Sequence, residues 1–453
     1  MKKHLSLTSL FIAILISPAY TSAIEVAFET DQSLPIVYLN IAVKAGAVTD
    51  LEGKSGLTNF LGEMLLRGTT KRNKEQIDIA LDQIGATLEV ETRAEALILR
   101  GAVLASQLNR FLEITGEIIT SPSFPENEIR KLKSEIISSI MEERGRDSAL
   151  AMRRFTQFMF GTHPYGKPVL GKIKDVQSIT RQQLLAHYNR IIHDQLLLVI
   201  GSGDTAANQI DLWAAKIANE RPSPPDKSIA SILVSKPIDS NSKRLQLIDK
   251  PERTQTQINL GQVGVRMTDP MFFPLYLGNH AFGGGSFSAR LMVEIRVKRG
   301  WSYGANSFFR HGRQPRSWQV HLFPAAKDTP NALAHTLKMI EELREKGISQ
   351  EEFAFAKKSL INSAGFLFNT PKKRVENKLL ERTLDLPDGF MKSYGPELQK
   401  VQLSDVNSTI KHFFKPESLA ISVLCTAKDI KDALLKAAGV AAEKIEIWPY
   451  TAE

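Results

Sequence analysis

The chain has 453 residues, of which 43% are hydrophobic and 24% are charged, and this balance excludes bulk disorder and allows two or more folded domains. The formal net charge is +9, but the basic residues are scattered and accompany no nucleic-acid-binding module, so no nucleic acid partner is expected. Cys425 is the only cysteine, so no internal disulfide can form and stability must come from burial of a hydrophobic core.

Residues 1–23 are predicted to be a secretory signal peptide. Two lysines precede an apolar run over 5–16, and the run is followed by the small-residue end Thr21-Ser22-Ala23, which is the order of a cleavable export signal. The apolar run has about a dozen residues, fewer than the roughly 20 that a membrane-spanning helix needs. We therefore expect cleavage after Ala23, a periplasmic or secreted mature chain, and no stable membrane anchor.

The residues that follow show both strand and helix patterns. Residues 36–43 and 86–104 alternate apolar and polar side chains and predict β-strands, whereas residues 108–119 and 126–143 carry the apolar spacing of helices. This mixture of strands followed by helices indicates an α+β fold.

Residues 56–69 read GLTNFLGEMLLRGT and resemble the inverted zincin signature G-L-A-H-x-x-E-H-M-x-x-x-G-T. In that signature two histidines, four residues apart on one helix, bind zinc, and the glutamate between them activates the bound water. Asn59, Gly62 and Glu63 occupy those three positions here. An amide, a hydrogen atom and a carboxylate do not replace two imidazoles and a general base, so we expect no catalytic residue in this segment.

Further motifs extend the resemblance over nearly the whole mature chain, in the order that is usual for the insulinase/pitrilysin family. They lie at residues 163–166, 169–171, 176–180, 199–201, 255–258, 282–291 and 299–303. The chain is similar to mitochondrial processing peptidases, and especially to the non-catalytic subunits of the family. The resemblance implies two homologous α/β-sandwich domains that face each other across a chamber, often within a dimer.

The resemblance also implies where a third zinc ligand would lie. In the family this ligand is a glutamate on the long helix, and the corresponding position here is Ser138 or Ser139. We therefore expect no metal and no cofactor in this chain, and we expect zinc in a catalytic partner subunit. A small shift in register would instead place Glu135 or Glu142 there, which leaves open a weak, hydrated oxygen site for a divalent cation.

The chain is predicted to contain an internal duplication. The pattern at 124–129, which opens a long helix, recurs in type at 348–353, and the pattern at 180–185 recurs at 404–409. Both pairs are 224 residues apart, from 124 to 348 and from 180 to 404. A constant offset indicates two copies of one domain.

The predicted boundary between the copies lies in a segment rich in proline, serine and lysine. We place the first domain at 24–218, a linker at 219–242 and the second domain at 243–453. Each domain then has about 200 residues, a usual domain size.

The second domain keeps a pair that the family uses to bind substrate. Arg296 and Tyr303 match the family pattern R-x-x-x-G-x-x-Y, with Gly300 between them. Gly300 is expected to end the helix that carries Arg296 and to place Tyr303 on the next strand. A guanidinium and a phenol can donate hydrogen bonds to the carbonyl oxygen on which peptide hydrolysis builds negative charge, so the pair is assigned to substrate binding.

Three functions remain open on the sequence alone. The first is a non-catalytic, substrate-binding subunit of a secreted, zinc-dependent heterodimeric peptidase, whose sister subunit carries an intact H-x-x-E-H motif and whose substrates are peptides. The second is a peptide-binding or scaffold homodimer without proteolysis. The third is an independently active metallopeptidase, which would need ligands that the signature lacks.

Overall fold

A computed structural model describes residues 24–221, 237, 242–285 and 287–453. The predicted signal peptide and most of the predicted linker 219–242 lie outside these residues. In the described part of the chain, no helix is both long enough and apolar enough to cross a membrane.

The first half of the chain forms a five-stranded sheet. Its strands are β1 (Glu25–Thr30), β2 (Ile36–Val43), β3 (Thr87–Thr92), β4 (Leu97–Leu104) and β5 (Leu197–Gly203). They are arranged in the order β1-β5-β2-β4-β3, with β1 parallel to β5 and the other neighbours antiparallel. The strand predictions at 36–43 and 86–104 are confirmed, the second of them as the hairpin of β3 and β4.

Eight helices accompany this sheet in the described residues. They are α1 (Leu57–Leu65), α2 (Lys74–Asp82), α3 (Leu108–Thr120), α4 (Glu126–Gly145), α5 (Asp147–Phe160), α6 (Ile173–Gln177), α7 (Arg181–Ile191) and α8 (Ala207–Glu220). The helices predicted at 108–119 and 126–143 are confirmed as α3 and α4. Buried side chains of α1, α3, α4, α7 and α8 form one hydrophobic core with β2, β4 and β5.

The second half forms a six-stranded sheet. Its strands are β6 (Arg244–Asp249), β7 (Gln257–Val263), β8 (Ser302–Phe309), β9 (Ser317–Pro324), β10 (Ala420–Cys425) and β11 (Ile445–Pro449). They are arranged in the order β11-β6-β10-β7-β9-β8. Cys425 ends β10 with its side chain buried, where a thiol packs as a small apolar group.

Seven further α-helices are described in this half. They are α9 (Phe272–Asn279), α10 (Thr329–Lys346), α11 (Gln350–Ala364), α12 (Pro371–Thr383), α13 (Phe390–Lys400), α14 (Leu403–Phe413) and α15 (Ala427–Ala438). Two π-helical segments, His280–Gly284 and Met292–Val297, lie between α9 and β8.

The two halves are copies of one design. The order β1-β5-β2-β4-β3 in the first sheet matches β6-β10-β7-β9-β8 in the second, and β11 is an added edge strand. Helices α4 and α11 begin 224 residues apart, at 126 and 350, and α5 and α12 begin 224 residues apart, at 147 and 371. The structure therefore confirms an α+β fold with two homologous domains.

Each of the two copies packs one helix against the sheet of the other, an arrangement that we call the helix exchange. On α5 of the first domain, Leu150 and Ala151 pack against Ile248 of β6 and Leu424 of β10. Conversely, α12 of the second domain packs Val375 and Leu379 against the first sheet, where the contacting residues are Ala42, Ala96, Ile98, Leu198 and Ile200. Burial of each large aliphatic side chain contributes about 1.5–3 kcal/mol, so this exchange binds the domains firmly.

Candidate functional site

The degenerate signature forms helix α1, which is held mainly by apolar packing. Gly56 precedes the helix with a left-handed φ of 93°, a conformation that favours glycine. The carboxylate of Asp50 then accepts hydrogen bonds from the backbone N–H groups of Gly56 and Thr58, both at 2.7 Å, and so caps the helix. The large apolar residues of α1 are all buried, namely Leu57, Phe60, Leu61, Met64 and Leu65.

The three positions of the lost catalytic residues lie on this helix in different surroundings. Asn59 is buried, with 9% of its surface exposed, and Glu63 is half-buried. Burial raises the pKa of the Glu63 carboxyl, while Arg67 lowers it and Glu135 raises it further. At Gly62 an added Cβ would lie 2.5 Å from a methyl carbon of Leu97 and therefore could not fit without a shift of that side chain.

The long helix α4 packs against α1 and carries Ser139 and the ion-paired Glu135. The hydroxyl of Ser139 donates a 3.0 Å hydrogen bond to the backbone carbonyl oxygen of Glu135 in the preceding turn. The carboxylate of Glu135 pairs with the guanidinium of Arg67 at 2.6 Å. In the described residues, no group of three or more His, Cys, Asp or Glu side chains is arranged to hold a metal ion. The donors present here do not fit the closed nitrogen or sulfur shell that zinc takes in proteins.

A buried polar network lies behind α1, and no sequence pattern predicted it. The hydroxyl of Thr58 donates to Asp50 at 2.6 Å and lies 2.8 Å from Nε2 of His187. Arg190, which can only donate, lies 3.0 Å from Nδ1 of His187, so Nε2 carries the proton that is directed at Thr58. His187 follows Thr58 by 129 positions, and no spacing rule connects residues so far apart.

The pKa values of the two titratable members of this network, Asp50 and His187, are shifted in opposite directions. Burial raises the pKa of Asp50 to about 6, and hydrogen bonds from Thr58 and Gly56 counteract the rise. Burial, followed by the charge of Arg190, lowers the pKa of His187 to about 3. Each group is therefore kept closer to its neutral form than it would be in water, which is the usual response of a buried ionisable side chain. Thr58, Asp50 and His187 are almost fully buried, so the network positions α1 and does not meet a substrate.

The second-domain pair has the local geometry that the sequence predicted. Arg296 lies in the π-helical segment Met292–Val297, and Gly300, with φ of 64°, donates its N–H to the Arg296 carbonyl at 3.0 Å. The chain then enters β8, which begins at Ser302 and places Tyr303 at the edge of the second sheet.

Arg296 and Tyr303 are brought together with a third side chain. The guanidinium carbon of Arg296 lies 4.1 Å from the ring centre of Tyr303 and 4.9 Å from that of Phe287. Tyr303 is 73% exposed and Phe287 is 60% exposed. We call Phe287, Arg296 and Tyr303 the aromatic–arginine cluster. Two large rings at the surface, held by a cation, form a contact face of the kind that binds other chains.

Phe287 lies within the motif at 282–291, but no role was predicted for it. The sequence signal that could have indicated a role for Phe287 was an aromatic residue shortly after the glycine run at 283–285. Between the aromatic–arginine cluster and the positions Asn59, Gly62 and Glu63, the described residues form no direct hydrogen bond, ion pair or ring contact. The structure of one chain thus leaves the two regions as separate sites.

The duplicated fold and the altered helix α1 define the class of the protein. It is a two-domain homologue of inverted zincin peptidases in which the positions of both zinc-binding histidines and of the catalytic glutamate carry other residues. The model of the family described as Insulinase (Peptidase family M16) matches residues 25–172, and that described as Peptidase M16 inactive domain matches residues 178–360. The chain belongs to peptidase family M16.

Relatives in this family carry contrasting descriptions. A Helicobacter pylori protein described as a non-peptidase homolog is 22% identical over 413 residues, which cover 90% of this chain and 93% of that protein. A Rickettsia felis protein described as an uncharacterized zinc protease is 27% identical over 326 residues, which cover 72% of this chain and 76% of that protein. Similarity to this chain therefore extends to proteins described as peptidases and to one described as a non-peptidase.

Solved structures share the fold. A crystal structure of a peptidase M16 inactive domain from Pseudomonas fluorescens has a TM-score of 0.83 at 22% identity and covers 89% of this chain and 96% of that one. The periplasmic protease PqqL from Escherichia coli has a TM-score of 0.74 at 13% identity, and the match covers 96% of this chain but 50% of PqqL. The chain thus corresponds in fold to one half of that larger protein.

Proposed function

We propose that this chain is the non-catalytic, substrate-binding subunit of a secreted, zinc-dependent heterodimeric peptidase. The observation that carries the proposal is the contrast within one chain. The aromatic–arginine cluster is intact and exposed in the second domain, whereas Asn59 and Glu63 replace the zinc ligands in the first. A sister subunit with an intact H-x-x-E-H motif would supply zinc and the general base.

The cluster has the chemistry that a substrate-binding role requires. Hydrolysis of a peptide places negative charge on the carbonyl oxygen, and the guanidinium of Arg296 and the phenol of Tyr303 can donate hydrogen bonds to it or to the substrate backbone. Tyr303 lies on β8, an edge strand of the described sheet, and an extended peptide can add to a sheet at such a strand. A peptide enclosed between the two subunits would then meet zinc from one subunit and these side chains from the other.

The comparisons support this division of labour. One relative is described as a non-peptidase homolog. The first half of PqqL alone matches this chain with a TM-score of 0.72 over 92% of its length, and the whole of that periplasmic protease is about twice as long. A protease built from two such units is the arrangement that a heterodimer would reproduce with separate chains. The export signal predicted at 1–23 would direct this chain to the periplasm or outside the cell, and PqqL is described as periplasmic.

The proposal is tested with the purified complex of this chain and its sister subunit. Arg296→Ala and Tyr303→Phe in this chain should each lower kcat/KM for an unfolded peptide by about 100- to 1000-fold, the range found when a donor to a developing oxyanion is removed. Lys298→Ala is the matched control, because Lys298 lies two residues away but its ammonium pairs with Glu294 at 2.6 Å. Full activity in both cluster variants would refute the assigned role.

The alternatives predict different results in the same preparation. A peptide-binding or scaffold homodimer would purify as a stable dimer without a zinc-bearing sister subunit and would bind peptides without cutting them. An independently active metallopeptidase would contain stoichiometric zinc and lose activity on chelation when purified alone.

A further inference from the structure

A basic cavity lies between the two domains, away from helix α1. Its volume is about 310 Å³. The first domain contributes α5 and the loop that follows Tyr165, and the second domain contributes the loop that joins β8 to β9. Four of its lining side chains are basic and one is acidic; the basic residues are Arg153, Lys167, Arg310 and Arg316, and the acidic residue is Glu143.

Two of the basic side chains already have partners. Arg153 pairs with Glu143 at 2.9 Å and donates to the backbone carbonyl of Gly171 at 2.8 Å. The ammonium of Lys167 donates to the backbone carbonyl oxygens of Val48 and Asp50. The single carboxylate in the lining is therefore used by Arg153.

Arg310 and Arg316 have no such partners. Among the described residues neither guanidinium makes a hydrogen bond or an ion pair, and the Nε atom of each is buried without a hydrogen-bond partner. Arg316 lies over the ring of Tyr165 at 5.0 Å and Arg310 over that of Phe308 at 5.5 Å, so aromatic rings support both. A buried charged donor without an acceptor lowers the stability of the folded state, and it does so by more than an unpaired neutral group.

The nearby carboxylate of Glu95 does not supply the missing hydrogen-bond acceptor for Arg310 or Arg316. Glu95 attracts Arg316 electrostatically, but its carboxylate accepts hydrogen bonds from the Tyr165 hydroxyl at 2.6 Å and from the Arg313 backbone N–H at 2.9 Å. These bonds fasten the β8–β9 loop to the first domain. Arg310 and Arg316 line the same cavity. Burial lowers the pKa of Arg310, and repulsion from Arg316 lowers it further.

We propose that this cavity is an oxyanion site, in which a carboxylate or a phosphate group binds between Arg310 and Arg316. Guanidinium groups match the planar, paired oxygens of such anions, and an anion here would supply the acceptors that both side chains lack. The cavity size is in the range of sites for small ligands. The inference does not depend on a catalytic partner, because every residue that forms the site belongs to this chain.

The same chemistry has two sources, a free inorganic anion and the terminal carboxylate of a bound peptide. Calorimetric titration of the mature chain with inorganic phosphate, at constant ionic strength set with sodium chloride, tests the first. Fluorescence anisotropy with one labelled peptide, prepared with a C-terminal carboxylate and with a C-terminal amide, tests the second. Saturable binding of phosphate alone assigns a free anion, and preference for the carboxylate peptide assigns a peptide end; either result supports an oxyanion site.

The variants decide whether binding occurs at this cavity. Arg310→Gln should weaken binding of the anion by about 10- to 100-fold, the effect of losing a hydrogen bond to a charged group. Arg316→Gln should do the same, and because Arg316 also stacks on Tyr165, Arg310→Gln gives the independent result if the Arg316 variant unfolds. Arg130→Gln, at an exposed arginine on α4, is the control and should bind like the wild type.

Three results would overturn the proposal. They are the absence of saturable binding by phosphate and by both peptides, equal affinity of Arg310→Gln and the wild type, and an equal loss of affinity in Arg130→Gln.

Discussion

Helix α1 carries the degenerate zincin signature, the aromatic–arginine cluster carries the predicted substrate-binding pair, and the side chains of the two regions are placed in opposite ways. Around α1 the polar groups of Thr58, Asp50 and His187 are buried and bonded to one another. In the cluster the rings of Phe287 and Tyr303 are exposed. The first region is organised for stability, and we propose that the second contacts another molecule.

This difference shows that helix α1 is well packed although it lacks the catalytic motif. The segment that no longer carries the ligands is fixed by apolar packing and by the capping carboxylate of Asp50. Substitutions near α1 should therefore change the free energy of unfolding, whereas substitutions in the cluster should change function and leave stability nearly unchanged.

The largest expected effect is at the centre of the buried network. Thr58→Val keeps the shape of the side chain but removes one hydrogen bond from Asp50 and one from His187, so we expect a loss of about 2–4 kcal/mol in the free energy of unfolding. Urea denaturation measures this loss, with Thr70→Val at an exposed threonine as the control. Equal stability of the two variants would show that the network does not hold the helix.

The pH dependence of stability should separate Asp50 from His187. Because the pKa of His187 is lowered from 6.5 to about 3, its contribution is present above pH 6.5 and is lost progressively as the pH falls from 6.5 to about 3. Because the pKa of Asp50 is raised from 3.8 to about 6, its contribution is present below pH 3.8 and is lost as the pH rises through 6. The shift at His187 corresponds to about 5 kcal/mol at most and the shift at Asp50 to about 3 kcal/mol at most.

The test compares unfolding free energies of the wild type with those of His187→Gln and of Asp50→Asn between pH 4 and pH 6. As the pH falls, the advantage of the wild type over His187→Gln should shrink, and its advantage over Asp50→Asn should grow. Two difference curves with the same sign of slope would contradict the assigned pKa shifts.

A smaller effect is expected at Gly62, where the family carries its catalytic glutamate. Alanine in a helix is ordinarily more stable than glycine by about 0.5–1 kcal/mol, but a Cβ here would meet Leu97 at 2.5 Å and Val90 at 2.8 Å. We expect Gly62→Ala to lower the free energy of unfolding by about 1–2 kcal/mol. Gly145→Ala, where no heavy atom lies within 4 Å, should not be destabilised, and a stability gain in both variants would show that the contact with the sheet is not tight.

The smallest effect on stability is expected in the aromatic–arginine cluster. Tyr303→Phe keeps the ring over Arg296 and removes only an exposed hydroxyl, so the free energy of unfolding should change by less than about 0.5 kcal/mol. Thermal or urea denaturation of the isolated chain measures this. A loss as large as that of Thr58→Val would mean that the cluster is a structural element and not a contact face.

Local patterns predicted much of the fold. The alternation at 36–43 gave β2 with the bounds that the structure shows, and the 224-residue offset anticipated the paired helices α4 and α11. The contact of Arg296 with Tyr303 followed from the glycine that ends a helix between them. These predictions succeeded because each depends on residues close in sequence or on repetition.

Contacts between distant residues were not predicted. The exchange of α5 and α12, the network of Thr58 and His187, and the contact of Glu95 with the β8–β9 loop all join parts of the chain far apart in sequence. Their side chains are ordinary in type, and only the packing of the two sheets brings them together.

The central claim is that this chain contributes substrate contacts but no zinc site of its own. The most direct test is metal analysis together with peptidase activity, measured on the mature chain alone and mixed with a sister subunit that carries an intact H-x-x-E-H motif. The account predicts zinc and peptide hydrolysis only in the mixture. Stoichiometric zinc and chelator-sensitive hydrolysis in the chain alone would contradict it.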